Sequence, residues 1–174
     1  MRHAVPRLVV PLLLLIALAL PVGASGAATP SYDVLKLLER PLKAVNRGSD
    51  LDVLLPSRMP AEFKRLFSVG RGRPGRYEFE IASARDCDGA TACFVAAFSA
   101  RRGGRPTATR EVTLTGGRKG FFRPMRCGAS CAAPSLEWLE DDVLHKIEAK
   151  LGTKSTERTI LVRLANSAIR KGPR

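Results

Sequence analysis

Four cysteines, Cys87, Cys93, Cys127 and Cys131, are the residues whose type and spacing most restrict the chemistry of this chain. An even number of cysteines in an exported protein predicts disulfides, and the local pairs 87–93 and 127–131 require no more than two tight loops. A zinc site is the first alternative, although the gap between Cys87 and Cys93 is wider than usual ligand spacing. A redox dithiol would need a C-x-x-C motif, which neither pair has. We therefore predict two structural disulfides, with no metal and no cofactor.

A basic segment in the second half of the chain is the strongest candidate for binding. The chain has 29 basic and 16 acidic residues, and this net charge of +13 attracts polyanions. Arginine is suited to phosphate and carboxylate groups because its planar side chain binds two oxygens at once. The candidate anion-binding residues are Arg101, Arg102, Arg105, Arg118 and Lys119. The predicted partner is an anionic polymer of the cell envelope or a lipid head group rather than nucleic acid; an ordinary charged surface is the alternative.

An acidic turn offers the one arrangement that could support catalysis. Paired carboxylates can hydrolyse glycosides, and four acidic residues cluster at Glu137, Glu140, Asp141 and Asp142. A solvated turn is the simpler interpretation. His145 alternates with Val143 and Ile147, which predicts a buried histidine in a sheet rather than a catalytic base. The favoured function is therefore a non-catalytic binding or envelope-associated module, and the alternative is a secreted hydrolase that uses the acidic turn.

The start of the chain predicts export. Arg2 and Arg7 precede an apolar run at residues 8–20, and small residues follow at positions 24–28. This is the pattern of a cleavable signal peptide, and the run is shorter than the roughly 20 apolar residues that a membrane-spanning helix needs. We assign residues 1–28 to a signal peptide and expect a secreted or periplasmic protein with no stable membrane span after cleavage.

The rest of the chain predicts an α+β domain. Residues 29–50 form an N-terminal helical segment, which Pro41 divides into two short helices. Residues 51–174 form a single domain: a short strand at 51–55, a helix at 59–67, a loop at 69–75 and a C-terminal helix after Thr156. Alternating residues predict strands at 77–84, 92–101, 107–115, 121–127 and a hairpin at 136–151. A hairpin turn at Gly103-Gly104 would separate Arg101, Arg102 and Arg105 from Arg118 and Lys119. The expected fold is an antiparallel sheet of five to six strands with N-terminal and C-terminal helices packed on it.

Several short motifs resemble those of uncharacterised exported bacterial proteins. These motifs are Leu54-Leu55-Pro56, Cys87-Asp-Gly-Ala with Ala92-Cys93, Cys127-Gly-Ala-Ser-Cys131, a hairpin containing Trp138, and Leu164-Ala-Asn-Ser-Ala-Ile169. The last two are also similar to a domain of unknown function in bacterial envelope lipoproteins and sigma-factor regulators, which is thought to have a PsbP-like α/β sandwich. The similarity covers residues 50–172 and departs at His145, where an aromatic residue is expected. It implies a binding or sensory domain and supplies no catalytic residues.

Overall fold

A computed structural model describes residues 30–87 and 90–174, so the predicted signal peptide at residues 1–28 lies outside the described part of the chain. Two helices, α1 (Val34–Gly48) and α2 (Glu157–Lys171), lie near the two ends of this part. The strands are β1 (Ser31–Asp33), β2 (Arg58–Pro60), β3 (Phe67–Arg73), β4 (Arg76–Ala82), β5 (Phe94–Arg102), β6 (Arg110–Thr113), β7 (Lys119–Arg123), β8 (Arg126–Cys127), β9 (Cys131–Ala132), β10 (Ser135–Glu140) and β11 (Val143–Ala149).

Seven of these strands form one antiparallel sheet in the order β3-β4-β5-β11-β10-β7-β6. The predicted α+β class is therefore confirmed, but the main sheet has seven strands rather than five to six. The remaining strands form two separate pairs, β1 with β2 and β8 with β9. The N-terminal helix belongs to the same hydrophobic core as the residues after position 50, because Val34, Leu38 and Val45 are buried in it.

The additional strand is β3, which the sequence analysis assigned to a loop. Its Gly70 and Gly72 face helix α1, and a Cβ atom at Gly70 would lie 2.8 Å from Pro41 Cβ. The residues of β3 that face the helix have no apolar side chains. The alternation of apolar and polar residues that marks a strand is therefore missing from this part of the sequence. The glycines instead let the helix backbone approach the edge of the sheet.

Helix α1 continues through Pro41, although the sequence analysis predicted a break there. Proline lacks the amide hydrogen that would normally bond to the carbonyl four residues earlier. In this helix that carbonyl belongs to Leu37, and it accepts a hydrogen bond of 2.8 Å from the Ser68 hydroxyl on β3. The sheet thus supplies the donor that the helix lacks, which is why one helix of 15 residues forms here.

The predicted hairpin between residues 92–101 and 107–115 is also wrong. Strand β5 pairs with β4 and β11, whereas β6 lies at the far edge of the sheet beside β7. Gly103 has a positive φ, as predicted for the turn, but its amide donates to the Asp142 carbonyl. Residues 103–109, the crossing segment, therefore pass across the sheet instead of returning along β5.

Two elements near position 55 differ from expectation as well. Residues 51–55 are a loop with one isolated bridge between Leu54 and Pro173. The expected helix at 59–67 is absent, because Arg58–Pro60 pairs with Ser31–Asp33 instead. Both segments are held by contacts with residues distant in the sequence, which local periodicity does not reveal.

The core lies on one face of the sheet. A row of paired residues, Phe79, Phe98, Ile147, Leu136 and Phe122, runs across five strands on this face. Helix α1 packs on β3 and β4, and α2 packs on β10 and β11. The described residues contain no helix that is long and apolar enough to cross a membrane.

Both predicted disulfides are present, Cys87–Cys93 and Cys127–Cys131. The first closes the connection between β4 and β5, and the second joins the short strands β8 and β9. Such bonds persist in oxidising compartments outside the cytoplasm. They therefore fit a protein that works outside the cell or in its envelope.

The contact between α1 and β3 predicts the effect of adding one methyl group. A Cβ atom at Gly72 would lie 2.9 Å from Val45 Cα and would also overlap the Val45 carbonyl. We expect Gly72→Ala to lower the free energy of unfolding by about 1–3 kcal/mol, because backbone atoms must move apart. The matched control is Gly128→Ala, since a Cβ atom there meets nothing within 4 Å. Urea denaturation of both variants measures the difference, and equal midpoints would contradict the proposed close approach.

Candidate functional site

The face of the sheet opposite the helices carries the larger of the two clefts considered below. This basic cleft has a volume of about 520 Å³ and lies over β3, β4, β5, β11 and β10. The crossing segment contributes Arg105 and Thr107 to its wall. Its basic residues are Arg71, Arg73, Arg76, Arg101, Arg105 and Lys146, and its acidic residues are Glu78, Glu137 and Glu148.

Three arginines stand side by side at one end of the basic cleft. Arg73 pairs with Arg76 across β3 and β4, and Arg76 pairs with Arg101 across β4 and β5. All three side chains are exposed, and none of them forms a salt bridge within the described part of the chain. Like charges directly opposite each other destabilise a sheet. This arginine row is therefore an arrangement that a bound anion would stabilise.

The wall of the cleft is anchored by a buried carboxylate. Glu137 on β10 is 2% exposed, and its carboxylate accepts hydrogen bonds from the Thr107 and Ala108 amides at 2.6 and 3.1 Å. The Thr107 hydroxyl donates to the same group at 3.0 Å, and Arg123 donates to that hydroxyl at 2.7 Å. Hydrogen bonds to a carboxylate are stronger than those between neutral groups. Glu137 therefore fixes the crossing segment above the sheet.

The five predicted anion-binding residues do not come together. Arg101 and Arg105 line the basic cleft. Arg102 lies on the opposite face, where it forms a salt bridge of 2.7 Å with Asp50. Arg118 forms two hydrogen bonds with Glu140, at 2.8 and 3.1 Å, and Lys119 pairs with Glu111 at the far edge of the sheet.

Consecutive side chains of a strand point to opposite faces, which explains why Arg101 and Arg102 separate. The order of the strands also places Lys119 on β7, three strands away from Arg101 on β5. The structure thus keeps two of the five residues in the cleft.

Four basic residues of the cleft were missed by the sequence analysis: Arg71, Arg73, Arg76 and Lys146. The first three fall in or beside the segment that was assigned to a loop. A signal was present, because arginines at 71 and 73 alternate with glycines at 70 and 72, which is the period of a strand. Lys146 forms a salt bridge of 2.9 Å with Glu148 on the same strand, so its charge is already compensated.

The acidic turn divides its carboxylates between the two faces of the sheet. Glu137 faces the basic cleft, whereas Glu140 lies three residues later on the same strand and faces the side of Trp138. Each is engaged, Glu137 by the crossing segment and Glu140 by Arg118. Asp141 and Asp142 follow in the exposed turn between β10 and β11. Glu140 and Asp141 both line a second cleft, on the helix-covered face, so the hydrolase alternative stays a prediction.

His145 is enclosed on the helix-covered side of the sheet. The residue is 3% exposed, and its ring stacks on Trp138 with a centroid distance of 5.2 Å. The Tyr77 hydroxyl lies 3.3 Å from His145 Nδ1 and accepts a hydrogen bond from the Leu54 amide at 3.1 Å. Burial lowers the pKa of His145 to about 4, although the negative charges of Glu140 and Asp52 oppose the shift.

No family model, curated protein or solved structure matches the chain. The resemblance to exported bacterial proteins therefore stays a prediction. The function must be argued from the geometry and charge of the clefts.

The environment of His145 predicts a loss of stability in mild acid. The His145 imidazole has a pKa of 6.5 in the unfolded chain and about 4 in the folded chain. Its contribution to the free energy of unfolding is therefore fully present above pH 6.5 and is lost as the pH falls toward 4. The loss amounts to about 3 kcal/mol, since one pKa unit corresponds to about 1.4 kcal/mol. We expect His145→Gln to remove most of this dependence between pH 6.5 and 4.

Trp138, the single tryptophan of the chain, provides the measurement through its fluorescence during urea denaturation. Asp50 does not interfere in this range, because the Gly75 amide and then Arg102 lower the pKa of its carboxyl to about 2. If the free energy of unfolding changes with pH in the same way for the wild-type and the His145→Gln protein, His145 is not the source of the pH dependence.

Proposed function

We propose that the protein is an exported, non-catalytic binding module that holds an anionic polymer in the basic cleft. The observation that carries the proposal is the arginine row, Arg73, Arg76 and Arg101, on neighbouring strands. Both disulfides support the extracytoplasmic setting. The chemistry to be recognised is that of repeated phosphate or sulfate groups.

The row is favourable for such a ligand because its charges are concentrated and uncompensated. Adjacent strands lie about 4.8 Å apart, so the three arginines begin at intervals of roughly that distance. Nearby Arg71 and Arg105 add further positive charge within the same cleft. Each guanidinium can donate two parallel hydrogen bonds to a phosphate. A chain of phosphates crossing the strands would therefore meet one arginine after another.

A polymer explains the surface better than a lipid head group does. A protein that rests on a membrane normally adds an apolar surface to its basic residues. Among the described residues of the sheet, the large apolar side chains exposed on this face are Val69 on β3 and Leu139 on β10, and three strands lie between them. The cleft thus offers charge without a continuous apolar patch beside it.

The proposal predicts which arginines matter for binding. We expect Arg76→Gln/Arg101→Gln to weaken binding of long-chain inorganic polyphosphate at least tenfold at low salt. The matched control is Arg158→Gln/Arg163→Gln, which removes the same charge from exposed positions of α2 and should change the affinity less than twofold. Binding should also weaken from 0.15 to 1 M salt, because the Debye length falls from about 8 to about 3 Å. Isothermal titration calorimetry measures both effects.

Stability supplies an independent readout. Relieving the row of like charges should leave the free energy of unfolding of Arg76→Gln/Arg101→Gln unchanged or raise it by about 0.2–1 kcal/mol. Equal losses of affinity in the two double variants would show that net charge alone attracts the polymer and would reject the cleft. Tight binding to anionic vesicles with none to polyphosphate would reject the polymer in favour of a lipid surface.

A further inference from the structure

A second cleft lies at the same end of the sheet but on the helix-covered face. This acidic cleft has a volume of about 490 Å³, which is within the range of small-molecule sites. Its walls come from the loop at residues 50–54, the turn between β10 and β11, and the C-terminal end of α2. Val143, Leu54 and Ile169 provide apolar surface, and His145 lines it as well.

His145 presents a hydrogen-bond donor to the acidic cleft. Its Nδ1 edge is directed at Tyr77, which is outside the lining of this cleft, and its ring face stacks on Trp138. The edge that carries Nε2 therefore faces the cleft, and Nε2 forms no hydrogen bond with any described residue.

The tautomer of His145 follows from the partners of Tyr77. The buried Tyr77 oxygen already accepts from the Leu54 amide, so its own hydrogen needs an acceptor, and His145 Nδ1 is the one within reach. The ring hydrogen must then be on Nε2. This N–H is not among the buried polar atoms that lack a partner, so it is open to the cleft and available to a ligand atom.

The charge of the acidic cleft is opposite to that of the rest of the molecule. Asp50 is occupied by Arg102 and by the Gly75 amide, and Glu140 is occupied by Arg118. Asp52 and Asp141 also line the cleft, and neither forms a salt bridge or hydrogen bond within the described part of the chain. Two uncompensated carboxylates and one N–H donor thus surround a partly apolar floor.

We propose that the acidic cleft binds a small amine that also carries hydroxyl groups, such as an amino sugar. Asp52 and Asp141 receive the ammonium group, a hydroxyl oxygen accepts from His145 Nε2, and the carbon skeleton lies against Val143 and Ile169. The site is separate from the basic cleft, because the sheet lies between them. Its test can therefore fail while the polymer proposal stands, and the reverse also holds.

Glucosamine is the probe, and N-acetylglucosamine, which lacks the ammonium group, is the control ligand. Titration at about pH 6.5 keeps the amine protonated and should shift the His145 ring signals in NMR spectra and quench Trp138 fluorescence. N-acetylglucosamine should produce shifts at least tenfold weaker at equal concentration. His145→Gln identifies the ring signals, since His3 is the other histidine of the chain.

The variant Asp52→Asn/Asp141→Asn should weaken glucosamine binding at least tenfold. Asparagine tolerates the positive φ of residue 141, so the turn should keep its shape. Asp142→Asn is the matched control on the same turn, because Asp142 does not line the cleft, and it should change the affinity less than twofold. The proposal is overturned if both sugars bind equally or if Ca²⁺ alone produces the response. It is also overturned if neither sugar perturbs His145 at about 50 mM, a concentration well above a weak dissociation constant of about 1 mM.

Discussion

Both helices pack on the same face of the seven-stranded sheet, and most other features of the molecule depend on this one-sided covering. In a strand, successive side chains point to opposite faces. The covered face therefore collects Phe79, Phe98 and Ile147, while the other face collects arginine, lysine and glutamate from the same strands. A sheet that is covered on one side must expose the other, and here the exposed side is charged. The basic cleft is a direct result of how the core is built.

The same alternation places two clefts of opposite charge back to back. Arg101 and Arg102 are neighbours in sequence, yet Arg101 belongs to the basic cleft and Arg102 lines the acidic one. Asp50 connects the turn between β3 and β4 to the end of β5, because its carboxylate accepts hydrogen bonds from both the Gly75 amide and Arg102. The Gly75 amide, followed by Arg102, lowers the pKa of Asp50 to about 2, so this connection keeps its charge across the physiological range. Each side of the sheet thus presents a cleft of different charge.

Long-range contacts decide where the polar groups of the fold find partners. The Leu37 carbonyl that Pro41 leaves free is satisfied by Ser68, and Glu137 holds the crossing segment through Thr107 and Ala108. Asn166 on α2 accepts a hydrogen bond of 2.7 Å from the Thr115 amide, which connects the helix to the turn before β7. Buried polar groups need such partners because water cannot reach them. These few side chains tie the loops to the sheet and give the clefts fixed walls.

The amino-acid sequence by itself determined the α+β class, the two local disulfides and the strands whose apolar residues alternate. It determined them because periodicity and short spacing are local properties of the chain. It did not determine that β3 is a strand, because Gly70 and Gly72 meet a helix backbone instead of displaying apolar side chains. Nor did it reveal that β6 crosses to the far edge, which depends on strand order and on a buried Glu137. Tertiary structure alone therefore brought Arg73 and Arg76 beside Arg101, because strand pairing decides which distant residues become neighbours.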